Sequence, residues 1–141
     1  MRILVVSHGE LASGLINSYE MIAGENPQLD SLSLTNAGIA NFTQKFMEKL
    51  DSYGNEKVLI LCDIKGGSPF NESYKYQMTH PDRVSIICGV NLPILIEVGM
   101  LVTSIDDLDV LYQMALSIGK QSIEGISKEI VQEEENEELE F

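Results

Sequence analysis

Short apolar runs alternate with segments of helical periodicity along this chain, and that alternation restricts the fold more than any other feature. Residues 3–6 are Ile, Leu, Val and Val, and residues 58–62 are Val, Leu, Ile, Leu and Cys. A strand that is apolar along its whole length is typical of a parallel sheet with helices on both faces. Since strands and helices alternate, the pattern predicts an α/β domain with crossover helices.

Four strands are predicted, over residues 2–7, 29–34, 58–63 and 84–90. Helices are predicted from residue 11 to Gly24, over 39–50, from Ser68 to about 78, from 91 to about 101, and after Asp106 and Asp107 to about 120. In the third helix, Ser68 is expected as the N-cap and Pro69 in the first turn. The flavodoxin-like fold type gives the strand order 2-1-3-4, in which the winding direction reverses between the first and third strands.

The composition restricts the function and the location. The 141 residues fit one domain, and 22 acidic against 9 basic residues leave a net charge of −13. We see no basic patch of the kind that binds nucleic acid, so no nucleic-acid partner is expected. The acidity suits docking to a basic protein partner, or solubility alone. Without a signal peptide or an apolar stretch of about 18–20 residues, the chain is expected to be cytoplasmic.

The end of the chain and the cysteines give further expectations. Residues 126–131 form a last apolar segment, interpreted as a short strand or a helix end, and close a domain over 1–131. Residues 132–141 are rich in glutamate and are expected to form a disordered tail. Cys62 and Cys88 lie inside apolar runs and are expected to be buried, reduced thiols. His8 and His80 are the only histidines, so no metal site is predicted, and His80 is interpreted as a surface residue.

His8 and Asp63 each follow an apolar strand, and these are the two strands between which the winding reverses. Ligands of open α/β sheets bind outside the carboxyl ends of the strands at that point. A neutral imidazole is a nucleophile near physiological pH, and a carboxylate bonded to one ring nitrogen would orient the other. A lone histidine is more often a capping or solvated loop residue, and Asp63 could instead cap its turn. The convergence of two strand ends favours the functional interpretation.

The turn after Asp63 contains Gly66, Gly67 and Ser68, which we interpret as a phosphate-binding segment. Glycines let the backbone approach an anion, and the amides of a helix N-terminus carry partial positive charge. Alone, such a turn is a weak signal, and it matches neither the Walker loop nor the dinucleotide fingerprint. Lys65 could attract a phosphorylated partner, although a solvated lysine is the simpler interpretation.

Three blocks of residues together resemble one family. They are residues 3–9 (ILVVSHG), 62–71 (CDIKGGSPFN) and 89–97 (GVNLPILIE). In this order they resemble the IIA component of the mannose-type (mannose, fructose and sorbose) sugar phosphotransferase system, over residues 1 to about 130. The resemblance implies a phosphocarrier without a cofactor, in which His8 is phosphorylated, Asp63 is its hydrogen-bonded partner and Ser68 contacts the phosphate.

The resemblance also implies partners. The donor is the histidine-containing phosphocarrier protein, and the acceptor is a IIB component, expected here as a separate chain because no fused IIB domain follows. The membrane components IIC and IID are indirect partners, which could hold the protein at the inner face of the membrane. Family members are homodimers in which a C-terminal strand crosses to the other subunit, and residues 126–131 would be that strand. The best-known members carry a threonine at the position of Ile64, which has no hydroxyl to offer.

Two other functions remain open from the residues. One is a flavodoxin-like regulatory or ligand-binding module in which His8 is incidental. The second is the phosphocarrier domain of dihydroxyacetone kinases, which shares the fold and an N-terminal histidine. The block at 62–71 argues against this second alternative.

Overall fold

The computed structural model describes residues 1–128, which form a four-stranded parallel sheet with helices on both faces. The strands are β1 (Arg2–His8), β2 (Leu29–Leu34), β3 (Val58–Cys62) and β4 (Val84–Cys88), and they lie in the order β2-β1-β3-β4. Each neighbouring pair runs parallel, with Val6 beside Cys62 near the carboxyl end. The predicted fold class and strand order are confirmed.

Five helices occur in the described part of the chain, and their bounds agree with the predicted ones to within about two residues. They are α1 (Leu11–Ala23), α2 (Ile39–Ser52), α3 (Gly67–Thr79), α4 (Leu92–Leu101) and α5 (Leu108–Gln121). Side chains cap the starts of two of them. The Asn91 side chain accepts a hydrogen bond from the N–H of Ile94, and Asp107 accepts from the N–H groups of Asp109 and Val110.

The two faces of the sheet bury separate clusters of apolar side chains. Successive residues of a strand point to opposite faces, so Ile3 and Val5 pack with α1, α4 and α5, whereas Leu4 and Val6 pack with α2 and α3. All five residues of β3 are buried because helices cover both sides of this central strand. The double burial makes β1 and β3 rigid, and both end at the same edge of the sheet.

The start of α3 differs from the prediction. The helix begins at Gly67, its N-cap is Gly66, and Ser68 is the second helical residue with no capping hydrogen bond from its side chain. Gly66 and Gly67 both have positive φ, +103° and +77°, so these two residues turn the chain into the helix before Ser68 is reached. Ser68 is therefore not the N-cap, and its hydroxyl is not used to begin the helix.

The cysteines also differ in part from the prediction. Both are free thiols, but only Cys62 is buried, while Cys88 is partly exposed because β4 is an edge strand. Burial raises the pKa of the Cys62 thiol to about 12, which keeps it protonated.

The described part of the chain ends in an irregular segment after α5. Residues 123–127 have no regular secondary structure, and Ile123 and Ile126 are exposed. Most of the predicted strand at 126–131 and the whole acidic segment 132–141 lie outside the described residues. Within residues 1–128 no helix has the length and apolar character needed to cross a membrane. The same residues contain no group of three His, Cys, Asp or Glu side chains arranged to hold a metal ion.

Candidate functional site

His8 and Asp63 meet at the carboxyl end of the sheet, as predicted. His8 is the last residue of β1, and Asp63 directly follows β3. The Nδ1 atom of His8 lies 2.8 Å from Oδ2 of Asp63, and the same oxygen accepts a hydrogen bond of 2.9 Å from the backbone N–H of His8. One carboxylate oxygen therefore holds both the backbone and the ring of the histidine.

The electrostatics of this pair determine the tautomer of the ring. Burial by itself raises the pKa of Asp63, but hydrogen bonds from the backbone and ring of His8 and from the N–H of Ile64 outweigh it, so the pKa lies below its ordinary value. Asp63 is thus ionised at neutral pH and can only accept hydrogen bonds. Nδ1 of His8 must then carry the proton that it shares with Asp63, which leaves the lone pair on Nε2.

The side chain of His8 is 45% exposed, whereas that of Asp63 is 9% exposed. A buried carboxylate fixes the ring from beneath while the ring itself remains open to the surface. Such an arrangement suits a reaction with a group carried by another macromolecule, because no closed cavity has to admit it.

The N-terminus of α3 lies against the Nε2 side of the ring. A β-carbon built on Gly67 would lie 2.9 Å from both Cε1 and Nε2 of His8. The first amides of a helix have no acceptor within the helix, and those of Gly67 and Ser68 donate no hydrogen bond to another residue within 1–128. Nε2 therefore lies beside free backbone donors at the positive end of a helix dipole.

The other residues of this turn have different surroundings. Gly66 has open space around its α-carbon, and Ser68 is half-buried in the first helical turn. Ile64 and Lys65 are exposed at the rim, with Ile64 56% exposed. The structure thus brings His8, Asp63 and Gly67 into one group, with Gly66 and Ser68 as the immediate neighbours of Gly67 in the chain. His80 is exposed and stacks on the ring of Tyr76, away from this group.

Sequence reasoning missed the role of Ser7. Its side chain is fully buried, and its hydroxyl accepts a hydrogen bond of 2.8 Å from the N–H of Ala12 and donates to the carbonyl of Gly9. It therefore fixes the turn between β1 and α1 that carries His8. An N-cap side chain accepts from the N–H two or three residues later, whereas Ser7 accepts from the N–H five residues later. The capping pattern therefore could not identify Ser7 from the sequence.

A family model described as the PTS system fructose IIA component matches residues 2–115. The chain belongs to this family. The resemblance stated from the sequence is thereby confirmed, and membership decides against an unrelated ligand-binding module.

Individual relatives agree with this assignment. The fructose-specific EIIA component of Bacillus subtilis (strain 168) is 34% identical over 98 residues, which is 68% of the IIA protein and 66% of the relative. The mannose-specific EIIAB component of Escherichia coli (strain K12) is 27% identical over 132 residues, or 92% of the IIA protein. That alignment covers only 41% of the EIIAB relative, so the IIA protein spans less than half of its length.

Solved structures agree as well. The mannose/sorbose-specific IIA subunit from Enterococcus faecalis superposes with a TM-score of 0.81 at 29% identity, covering 89% of the IIA protein and 94% of that chain. The IIA protein associated with the fucose utilization operon from Streptococcus pneumoniae gives a TM-score of 0.75 at 31% identity, covering 88% and 91%. The whole described fold is therefore shared with IIA proteins.

Proposed function

We propose that the IIA protein is a phosphocarrier that accepts a phosphoryl group on Nε2 of His8 and passes it on during sugar uptake. The observation that carries this proposal is the fixed ring: Asp63 holds Nδ1 at 2.8 Å, and Nε2 lies beside Gly67 at the N-terminus of α3. The proposal agrees with membership of the IIA family.

The proposed transfer balances without a metal or a nucleotide. The lone pair of Nε2 attacks the phosphorus of a phosphohistidine on the donor, the Nε2–P bond forms, and the N–P bond of the donor breaks. No proton has to leave Nε2, because the ring proton is on Nδ1. The positive charge that develops on the ring of His8 is stabilised by the ionised carboxylate of Asp63. Phosphoryl transfer needs little beyond such positioning and charge stabilisation.

The segment Gly66, Gly67 and Ser68 is the proposed phosphate-binding site. The free amides of Gly67 and Ser68 and the positive end of the α3 dipole suit the phosphoryl oxygens. The Ser68 hydroxyl supplies one more donor, since it is not engaged as an N-cap. Ile64 has no hydroxyl, so the phosphate depends on the backbone and on Ser68.

The partners follow from the family. The donor is the histidine-containing phosphocarrier protein and the acceptor is a IIB component, with the membrane components IIC and IID reached only through IIB. The IIA protein would act in the cytoplasm, at the inner face of the membrane when it is bound to those partners. Its relatives are named as specific for fructose, mannose and sorbose.

We also propose a homodimer. The outer edge of β4 pairs with no strand within residues 1–128, and the segment after α5 exposes Ile123 and Ile126 by 86% and 60%. A strand over 126–131 of one subunit would cover the open edge of the other and bury these side chains. Light scattering after gel filtration should give twice the mass of one chain, and Ile126→Asp should shift it toward the monomer. A wild-type monomer at high concentration would refute the dimer.

The phosphocarrier function is tested by intact mass spectrometry after incubation with phosphoenolpyruvate and the general phosphotransferase proteins. We expect one acid-labile phosphoryl group on the wild type and none on His8→Ala. His80→Ala is the matched control, because it removes the other histidine and should be labelled like the wild type. Labelling of His8→Ala would reject the assignment.

A further inference from the structure

Two adjacent glycines at the start of α3 have different surroundings. Gly66 and Gly67 both have positive φ, +103° and +77°, which disfavours a side chain at either position. A β-carbon on Gly66 would have no heavy atom within 4 Å, whereas on Gly67 it would lie 2.9 Å from Cε1 and Nε2 of His8. Contacts below 3.0 Å are essentially never made by real β-carbons, so only position 67 excludes a side chain through the histidine.

We propose that Gly67 is a positioning residue for phosphoryl transfer, because its missing β-carbon lets the ring of His8 lie against the backbone of α3. Asp63 holds the Nδ1 edge of the ring, and Gly67 bounds the opposite edge, which carries Nε2. The ring is therefore located from two sides. This inference rests on the proposed phosphorylation of His8, and it adds a steric requirement to the hydrogen-bonding role proposed for the turn.

The ring, not the helix, is the part that would move if a side chain were added. The first turns of α3 are anchored by Pro69, which is buried, and by Ser73, whose buried hydroxyl donates a hydrogen bond of 2.7 Å to the Pro69 carbonyl. The imidazole is 45% exposed and has solvent on its outer side. A methyl group at position 67 would push the ring outward, away from the free amides and off the line of the bond to Asp63.

The first experiment compares Gly67→Ala with Gly66→Ala. Both substitutions place a side chain at positive φ, so both carry the same kind of backbone strain, but only Gly67→Ala meets the ring. A misplacement of about 1 Å at a reacting atom can lower a rate about 10²-fold. We expect phosphorylation of Gly67→Ala to be slower by about that factor and at least about tenfold slower than that of Gly66→Ala, which carries the backbone strain and any loss at the phosphate-binding segment without the contact with the ring. Equal rates in the two variants would overturn the proposal.

A second measurement observes the ring directly. In ¹H–¹⁵N spectra, Gly67→Ala should change the shifts of both ring nitrogens of His8, because the bond from Nδ1 to Asp63 is disturbed. Gly66→Ala should leave these shifts as in the wild type. Unchanged His8 shifts in folded Gly67→Ala would also overturn the proposal.

A double-mutant cycle keeps the test valid whether or not the protein is phosphorylated. If the added methyl group is excluded by the ring, Gly67→Ala should lower the melting temperature less in a His8→Ala background than in the wild type. Should Gly67→Ala fail to fold, recovery of folding by His8→Ala is the expected result. Gly66→Ala should show no such coupling. The absence of coupling at position 67 contradicts the steric requirement, whereas missing phosphorylation of wild-type His8 contradicts only the proposed function.

Discussion

At the amino end of the sheet, Arg2 donates hydrogen bonds of 2.9 Å to Glu56 and to the carbonyl of Pro27, and so uses its charge within the protein. At the carboxyl end, His8 donates to Asp63 through Nδ1, while its Nε2 atom bonds to no other residue within 1–128. Both ends contain a basic side chain beside a carboxylate. They differ in the remaining atoms: Arg2 also donates to a backbone carbonyl, whereas Nε2 of His8 has no partner within residues 1–128.

The amino end contains further polar side chains that form hydrogen bonds within the protein. Arg83 donates to the carbonyls of Leu50 and Glu56 and to the hydroxyl of Tyr76, and the Tyr53 hydroxyl donates a bond of 2.6 Å to Asp30. Burial and the hydrogen bond to Asp30 raise the pKa of Tyr53 far above its ordinary value, so this hydroxyl keeps its proton. These bonds tie loops and helices to the starts of the strands.

The difference teaches where to look for function in this fold. The polar groups named at the amino end bond to other parts of the protein, whereas Nε2 of His8 and the amides of Gly67 and Ser68 have no partner within residues 1–128, as the proposed phosphate site requires. Hydrogen-bonding groups without a partner at an exposed strand end therefore indicate a functional site better than charged residues do.

The largest expected effect is on the rate of phosphoryl transfer, and it is tested by the same Asp→Asn substitution at each end of the sheet. Asp63→Asn removes the charge that stabilises the imidazolium and the acceptor that sets the ring tautomer, so we expect phosphoryl transfer to fall by about 10²- to 10⁴-fold. Asp30→Asn makes the same chemical change at the amino end and should leave the rate within about twofold, since it touches neither His8 nor α3. Rates are measured by quenched-flow mass spectrometry. A normal rate in Asp63→Asn would remove the distinction between the two ends.

A smaller effect is expected on stability, and it concerns the amino end alone. Arg83→Leu leaves the Leu50 and Glu56 carbonyls without their donor, and a buried unsatisfied acceptor costs about 1–3 kcal/mol. Because water reaches part of this site, we expect a loss of about 2 kcal/mol in the free energy of unfolding, with phosphorylation of the folded protein unchanged. Arg2→Leu, at a more exposed ion pair, should cost less than about 1 kcal/mol. Urea titration measures both, and a larger loss for Arg2→Leu would contradict the assignment.

The smallest effect concerns pH. The pKa of Asp63 is lowered in the folded protein, so its contribution to stability is present above its unfolded pKa of about 3.9 and is lost as the pH falls through the folded value. The difference in the free energy of unfolding between the wild type and Asp63→Asn should therefore shrink as the pH is lowered from 6 toward 3. The same comparison for Asp109→Asn, at an exposed helix position, should vary less. A difference for Asp63 that stays constant over this range would show that its charge is not linked to folding.

Much of the fold followed from pattern alone. The apolar runs at Val58–Cys62 and in β1 identified the central strands, because a strand covered on both faces cannot alternate with polar residues. The starts of α4 and α5 were predicted close to Asn91 and Asp107, and the structure adds that both side chains cap their helices. The N-cap of α3 was predicted two residues late, at Ser68 instead of Gly66, because Gly66 and Gly67 lead into the helix with positive φ and no local pattern marks where such a turn ends.

The residue types of the candidate site were predictable from the sequence, but the distances between them were not. His8 and Asp63 were identified because each ends a central strand, and parallel strands bring their ends together. The difference between Gly66 and Gly67 was not visible, since both are glycines in a turn and only the distance to the ring separates them. Ser7 was missed because its hydroxyl acts across a turn that has no standard spacing.

The amino-acid sequence by itself determined the layered α/β fold and placed His8 and Asp63 at the ends of two central strands. These properties depend on hydrophobic periodicity and on residue types at strand ends, which are written locally along the chain. Only the tertiary structure decided that Asp63 binds both the backbone and the ring of His8, and that Nε2 lies against Gly67. It also decided that Arg2, Tyr53 and Arg83 at the amino end donate their hydrogen bonds to groups within the protein. These are contacts between residues about 25 to 60 positions apart, and distances across a fold are set by packing, which local sequence does not encode.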